Sequence, residues 1–116
     1  MSGRPGSASR HWRSQRLTSV SLVPLGLWFL LALSRQPALD HATVAALFAK
    51  PLQALLATLL GAALLWHSMQ GVQVVLEDYV RGRVLGASLA IIRGLHVAAA
   101  LALAWALWTL GSGRAP

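Results

Sequence analysis

Residues 51–76 have the sequence PLQALLATLLGAALLWHSMQGVQVVL, and this stretch decides the fold. It carries no charged side chain, and at about 1.5 Å per residue a helix of this length exceeds the roughly 30 Å hydrocarbon core of a bilayer. Pro51 suits the first turn of a helix, where no backbone N–H is needed. The stretch therefore predicts a membrane-spanning α-helix that contains one histidine, His67.

Two further apolar segments flank it, at residues 17–33 and 84–110. Hydrophobic residues make up 56% of the 116 residues and charged residues only 11%, which is too few to cover a soluble domain of this size. The sequence predicts an all-α membrane protein with three transmembrane helices. The first segment could also be the apolar part of a signal peptide, but it is long and no clear cleavage site follows, so a retained helix is favoured.

The domain organisation follows from these segments. Residues 1–16 are rich in Ser, Gly and Arg and predict a flexible basic tail, and residues 17–112 form one membrane anchor domain. Residues 34–50 predict a loop with room for a short interfacial helix, and residues 77–83 predict a polar turn. Pro24 and Gly26 lie in the first helix, where a kink is tolerated because neighbouring groups can satisfy the backbone.

The charge distribution predicts orientation. The net charge is +7, and its basic residues lie mostly at the ends of the apolar segments. Six of them lie in the N-terminal tail and in the 77–83 turn, which three spanning helices place on the same side of the membrane. Three lie on the opposite side, in the 34–50 loop and after the third apolar segment. The positive-inside rule then places the N-terminus in the cytoplasm or the mitochondrial matrix. This pattern suits contact with membrane lipid, and it argues against nucleic acid, which needs a basic docking face.

The absence of cysteine excludes thiolate metal sites, iron–sulfur ligation and cysteine nucleophiles in this chain. Polar groups at membrane depth are costly, so each one needs an explanation. His67, Gly71 and Asp78 share one helical stripe. A neutral imidazole beside a glycine suits axial ligation of haem iron, because glycine lets a flat group approach closely. A histidine that only hydrogen-bonds across a helix interface explains the residue equally well.

The third segment has small residues at every fourth position: Gly86, Ala90, Gly94, Ala98 and Ala102. This pattern predicts close helix packing, as does Gly71 in the second helix. Arg93 and His96 lie away from this ridge. His96 and His67 are nearly equidistant from the turn, so an in-chain pair of haem ligands is possible. Arg93 suits either snorkelling to the interface or pairing with a haem propionate.

Asp78 and Tyr79 follow the second helix at the water–lipid boundary. Tyrosine commonly anchors helices there. The functional alternative gives Tyr79 a hydrogen bond to a quinone carbonyl, with Asp78 pairing to an arginine or relaying protons.

The string His67-Ser-Met-Gln-Gly71-Val-Gln-Val-Val-Leu-Glu77-Asp78-Tyr79-Val80 resembles the hydrophobic membrane anchor subunits of succinate dehydrogenase. That family has a histidine, a glycine four residues later, and an Asp-Tyr pair eleven and twelve residues after the histidine. The segment Trp12-x-x-Gln15-Arg16-Leu-Thr18 is also similar to the family's entry into its first helix. The resemblance covers about residues 11–112.

The resemblance implies that His67 is an axial ligand of haem b, that Tyr79 hydrogen-bonds ubiquinone, and that Asp78 supports that site. It implies three partners: a cytochrome b subunit that completes the haem-binding helical bundle and supplies the other ligand, an iron–sulfur subunit and a flavoprotein subunit. The chain would then be a subunit of an oxidoreductase complex outside its catalytic core. Its location would be the bacterial inner membrane, or the mitochondrial inner membrane in a eukaryote. Arg93 and His96 match no ligand position of the family and stay secondary candidates.

Three alternatives remain at this point. The chain could be a structural anchor or assembly protein without a redox role. It could be a self-contained cytochrome b that uses His67 and His96. It could also anchor a fumarate reductase, since the sequence does not set the direction of the reaction.

Overall fold

The computed structural model describes residues 5–113, and within this range the chain forms four helices and no strand. They are α1 (Pro5–Ser34), α2 (His41–Phe48), α3 (Pro51–Tyr79) and α4 (Gly82–Ser112). Three segments are long and apolar enough to cross a membrane, namely Ser9–Ser34, Pro51–Tyr79 and Gly82–Ser112. The prediction of an all-α membrane protein with three spanning helices is confirmed.

The first helix begins earlier than expected. Residues 5–16, which the sequence predicted as flexible tail, are helical and continue into the apolar segment. The physical reason is anchoring by tertiary contacts, because the Ser14 hydroxyl accepts a hydrogen bond of 2.7 Å from the indole N–H of Trp66 on α3. A cation–π contact between Arg16 and Trp12 adds local support, with 5.3 Å from the guanidinium carbon to the ring centroid. The tail prediction for residues 1–4 lies outside the described residues.

The polar turn between α3 and α4 is shorter than expected. The backbone N–H of Val80 donates to the Leu76 carbonyl at 2.8 Å, so the helical ladder runs on through Asp78 and Tyr79. Val80 and Arg81 have extended backbones, and Gly82 has a φ of +65°, which side-chain-bearing residues rarely adopt. Both Asp78 and Tyr79 therefore sit on a rigid helix end.

The first loop contains a short helix, α2, as the sequence allowed. Asp40 caps it, because the carboxylate oxygen accepts a hydrogen bond of 2.8 Å from the Thr43 backbone N–H. Leu47 and Phe48 at its end are buried together with Ala57 of α3. The Phe48 ring stacks on Phe29 of α1, with ring centroids 6.3 Å apart. The helix thus closes one end of the bundle.

Helix α3 is central, with α1 packed on one side and α4 on the other. An apolar groove of about 510 Å³ lies along α3 between the two flanking helices. Six of the residues described are buried: Leu47, Phe48, Ala57, Leu60, Gln70 and Thr109. Most large apolar side chains are exposed, as expected for a surface that lipid and other helices cover.

Candidate functional site

His67 lies on the side of α3 that faces α1. Its ring is partly buried, and Nδ1 lies 3.3 Å from the hydroxyl oxygen of Thr18 and 3.4 Å from that of Ser19. These are long hydrogen bonds, but both come from consecutive residues of one helix and converge on one nitrogen. Within residues 5–113, no protein atom forms a hydrogen bond with Nε2 of His67.

The hydroxyl contacts of His67 favour one tautomer of its ring. The Thr18 hydroxyl lies 3.1 Å from the Ser14 carbonyl oxygen and 3.0 Å from that of Gln15, and it can donate its proton to them. The Ser19 hydroxyl can donate in the same way to the Gln15 carbonyl at 2.7 Å. With hydrogen on Nδ1, each hydroxyl can accept from the ring while it donates to its own helix, so this tautomer satisfies all of these contacts at once. In the neutral ring Nε2 then keeps its lone pair, the state that an axial ligand of a metal requires.

His96 on α4 is in a different state. Its Nδ1 lies 2.8 Å from the Ile92 carbonyl, which only accepts, so this nitrogen carries hydrogen. Its Nε2 lies 3.2 Å from the Ser68 hydroxyl, and in the neutral ring this nitrogen accepts the hydroxyl proton. Both ring nitrogens of His96 are thus used within the chain. The two imidazoles contact different helices, since His67 contacts Thr18 and Ser19 of α1 whereas His96 contacts Ser68 of α3.

Asp78 and Tyr79 end α3, and both side chains are exposed. Tyr79 is 84% exposed, and its backbone lies about 18 Å along the helix axis from that of His67. At about 100° per residue, Asp78 is only about 20° from the His67 direction, whereas Tyr79 is about 120° away. Only the carboxylate therefore lies on the His67 stripe, while the phenol points to another side of the same helix end.

The glycines expected to pack closely do not do so within this chain. A Cβ added at Gly71, Gly86 or Gly94 would meet nothing within 4 Å. The close approach of α3 and α4 occurs at Gly61 instead, where a Cβ would overlap the Leu103 side chain. The signal for it was in the sequence, because Ala57 and Gly61 are themselves a small-xxx-small pair. The ridge on α4 faces away from α3, so close packing at Gly86 and Gly94 stays a prediction for contacts with groups outside this chain.

All five residues of that ridge are exposed. Arg93 beside it is also exposed and forms no ion pair with any residue that the structure describes. The space next to Gly71 on α3 is also open, because no atom of the described chain lies within 4 Å of its Cβ position. These surfaces leave room for groups that come from outside the chain.

Sequence reasoning missed a polar cluster between α1 and α3, directly beside His67. Its centre is the Ser14 hydroxyl, which accepts hydrogen bonds from the Trp66 indole and, at 3.2 Å, from the Gln70 amide. Gln70 is 4% exposed, and its carbonyl oxygen has no partner within the described chain; nor does that of Gln15. The cluster was missed because the sequence predicted residues 1–16 as a flexible tail, which placed Ser14 outside the folded domain.

The described residues do not form a metal site from their side chains alone. Among residues 5–113, no three His, Cys, Asp or Glu side chains lie close enough together to hold a metal ion. A site built on His67 would therefore need a flat group that supplies its own equatorial ligands, as a porphyrin does.

Comparison with known proteins gives consistent results. A family model for the transmembrane subunits of succinate dehydrogenase and fumarate reductase matches residues 2–109. The chain is 32% identical over 78 residues to the succinate dehydrogenase hydrophobic membrane anchor subunit of Rickettsia bellii (strain RML369-C), a match that covers 67% of this chain and 62% of that protein. It is 31% identical over 86 residues to the subunit of the same name from Rickettsia prowazekii (strain Madrid E), covering 74% and 69%. The match therefore spans a little less than two thirds of the Rickettsia bellii protein.

Proposed function

The chain belongs to the family of succinate dehydrogenase and fumarate reductase transmembrane subunits, and we propose that it is the hydrophobic membrane anchor of a succinate dehydrogenase. In this role it holds an iron–sulfur subunit and a flavoprotein subunit at the membrane, and it shares a helical bundle with a cytochrome b subunit. The assembly passes electrons from succinate to ubiquinone. Its N-terminus faces the cytoplasm across the bacterial inner membrane, in agreement with the basic flanks of the helices.

The observation that carries the redox part of the proposal is the state of His67. Its Nδ1 is committed to Thr18 and Ser19, and its Nε2 has no partner in the described chain. Metal-ligating histidines almost always donate their other N–H in this way, since the hydrogen bond fixes the tautomer and the ring direction. His67 is therefore the proposed axial ligand of haem b.

The surroundings of His67 fit such a group. Gly71, one turn along the same stripe, has no atom within 4 Å of the position of a Cβ, so a flat ring can approach the helix backbone closely. The apolar groove between α1 and α4 begins on the other side of His67 from Gly71, at Leu64, about one turn before the histidine. When bound, haem b supplies a one-electron redox centre. The second axial ligand is assigned to the cytochrome b subunit, because both nitrogens of His96 are already engaged.

The exposed end of α3 is the proposed contribution of this chain to the ubiquinone site. Reduction of ubiquinone to ubiquinol needs two electrons and two protons. The Tyr79 hydroxyl donates a hydrogen bond to a quinone carbonyl, where negative charge develops as electrons arrive. Asp78, exposed beside it, passes protons from the aqueous side. Arg93 is kept as a candidate partner for a haem propionate because it lacks an ion pair among the described residues.

A spectrum of the purified assembly tests the proposal. The chain is produced together with its partner subunits, and a reduced-minus-oxidised spectrum is recorded. We expect a b-type haem signal that His67→Ala removes or shifts while the subunits stay together. The control is His41→Ala, since His41 is exposed at the start of α2, outside the spanning segments.

Two results would refute the proposal. An assembly without a flavoprotein and an iron–sulfur subunit would make the chain an anchor of another kind. An unchanged haem spectrum in His67→Ala would remove this residue as a ligand and leave it a packing role. Loss of the haem in both His67→Ala and His96→Ala would instead favour a pair of ligands within the chain.

A further inference from the structure

A second groove of about 530 Å³ lies on the other side of α1, at the end of the molecule opposite to Tyr79. One wall is the C-terminal half of α1, and the other is the junction of α2 and α3. The apolar part of the lining includes Leu27 and Leu31, which are 57% and 44% exposed, so the groove opens to the membrane. The polar part is Arg35, Gln36, Lys50 and Gln53.

The two cations of this groove lack counter-ions in the chain. Arg35 and Lys50 are exposed, and neither forms an ion pair with any residue in 5–113. The chain has only three acidic residues. Glu77 and Asp78 are at the far end of α3, about 40 Å from Lys50 by helix length. The remaining one, Asp40, is turned to the N-terminus of α2, where it accepts the Thr43 backbone hydrogen bond.

The groove also has an unused hydrogen-bond donor. The indole N–H of Trp28 donates to Oε1 of Gln53 at 3.0 Å, which fixes the direction of the amide. The amide Nε2 of Gln53 has no partner within the part of the chain that the structure describes. Two cations and an amide N–H group thus border one cavity that contains no carboxylate. Such a polar edge is complementary to a phosphate diester, and the apolar wall below it is complementary to an acyl chain.

We propose that this groove binds one anionic phospholipid from the leaflet opposite to the Tyr79 end. The phosphate lies between Arg35 and Lys50, and one acyl chain lies along Leu27 and Leu31. A lipid with a net negative head group is favoured over a zwitterionic one, because an ammonium group on the lipid would be repelled by the same two cations. This inference needs neither haem nor ubiquinone, so it stands apart from the proposed redox function.

Native mass spectrometry of the detergent-solubilised assembly tests the proposal. The assembly is stripped of lipid and titrated with phosphatidylglycerol, with phosphatidylcholine, or with inorganic phosphate. We expect one phosphatidylglycerol to bind more tightly than the rest, with phosphatidylcholine clearly weaker. Each of Arg35→Gln and Lys50→Gln should weaken this binding about five-fold, which corresponds to about 1 kcal/mol for a basic residue at an anionic membrane surface.

The controls separate this site from general attraction to charge. Arg10→Gln with Arg13→Gln removes two exposed cations from the other end of α1, and it should leave the tight site intact. Leu31→Trp keeps both cations of the groove but fills its apolar wall, so it should weaken lipid binding without any change of charge. If one of the variants Arg35→Gln, Lys50→Gln and Leu31→Trp fails to assemble, the other two still decide the question.

Three outcomes would overturn the proposal. Equal affinity for phosphatidylcholine would mean that the cations do not select the head group. Competition by inorganic phosphate at similar concentration would indicate a free-anion site rather than a lipid site. Unchanged binding in Arg35→Gln, Lys50→Gln and Leu31→Trp would place the tight lipid elsewhere, or show that another subunit covers the groove.

Discussion

Nδ1 of His67 lies 3.3 Å from the hydroxyl oxygen of Thr18, and this contact joins the second spanning helix to the first. The tautomer with hydrogen on Nδ1 fits this contact, because the Thr18 hydroxyl can then accept from the ring while it donates to the backbone of its own helix. The contact therefore favours one tautomer and one ring direction. The packing role and the ligand role of His67 are compatible, because the contact with α1 uses Nδ1 and leaves Nε2 without a partner in the described chain.

If His67 holds haem b as proposed, removal of the Thr18 and Ser19 hydroxyls should loosen the haem without removing its ligand. In the double variant Thr18→Val and Ser19→Ala, Nδ1 loses both acceptors that orient the ring. Loss of such a supporting hydrogen bond typically weakens a metal site about ten- to a hundred-fold. We expect faster haem loss in detergent and a shifted midpoint potential, measured by a redox titration of the b-type spectrum.

The matched control is Thr58→Val, because the Thr58 hydroxyl is exposed and donates only to Ala54 of its own helix at 2.7 Å. Identical midpoint potentials and haem retention in the unmodified protein, the double variant and Thr58→Val would mean that the Thr18 and Ser19 hydroxyls do not orient His67.

Replacement of His96 should affect stability rather than the haem. His96 holds α4 to α3 through the Ser68 hydroxyl at 3.2 Å, and a hydrogen bond of this kind contributes about 1 kcal/mol. We expect His96→Leu to keep the b-type spectrum and to lower the thermal midpoint of the assembly. Ser68→Ala should lower it by a similar amount, and the double variant should lose little more. Additive losses would contradict a shared hydrogen bond, and a bleached spectrum would make His96 a ligand.

Tyr79→Phe should separate the two activities of the proposed assembly. The substitution removes only the hydroxyl, and the loss of one donor to a developing oxyanion typically costs about a hundred-fold in rate. We expect a large fall in the reduction of ubiquinone with succinate, while succinate oxidation by an artificial dye stays at the level of the unmodified protein. A parallel loss of both activities would show that the residue stabilises the assembly and has no local role at the quinone.

The three spanning helices were predictable because their signal is the composition of long segments, which neighbouring residues hardly alter. The start of α1 was not, since residues 5–16 are polar and their helix is anchored by Ser14, whose partner Trp66 is 52 residues away. The short turn was hidden for a related reason. The acidic residues Glu77 and Asp78 suggested a solvent-exposed turn, but in the structure they belong to the exposed end of α3. The chain reverses direction only at Val80 to Gly82, where Gly82 has a positive φ.

The position of the candidate residues along one helix was predictable from the sequence, whereas their contacts were not. The spacing from His67 to Tyr79 is a property of one helix, so the sequence contains it. Which face meets α1 depends on how three helices cross, and several faces carry small residues. The exposed ridge of α4 and the pair Ala57 and Gly61 give similar patterns, and only packing distinguishes them.

That distinction can be tested with glycine variants. Gly61→Val puts a branched side chain where the Leu103 side chain already lies, and overpacking of this kind costs about 1–3 kcal/mol. We expect a lower thermal midpoint of the chain in micelles. Gly86→Val is the matched control because nothing in the described chain lies within 4 Å of its Cβ position. Equal destabilisation by both variants would contradict the helix packing described above.

The cap of α2 gives a prediction that depends on pH. The hydrogen bond from the Thr43 backbone N–H holds the pKa of Asp40 below its ordinary value of 3.8. The carboxylate form is thus favoured in the folded state, so the stabilisation is complete above the ordinary pKa and is lost as the pH falls through the lowered pKa of the folded state.

We expect the Thr43 amide, compared with its intrinsic exchange rate, to be protected from hydrogen exchange at neutral pH and less so in strong acid. Asp40→Ala should remove this protection at every pH, whereas Asp40→Asn should keep most of it and make it independent of pH, since an amide oxygen also caps helices. Unchanged exchange in Asp40→Ala would mean that α2 is held by the burial of Leu47 and Phe48 alone.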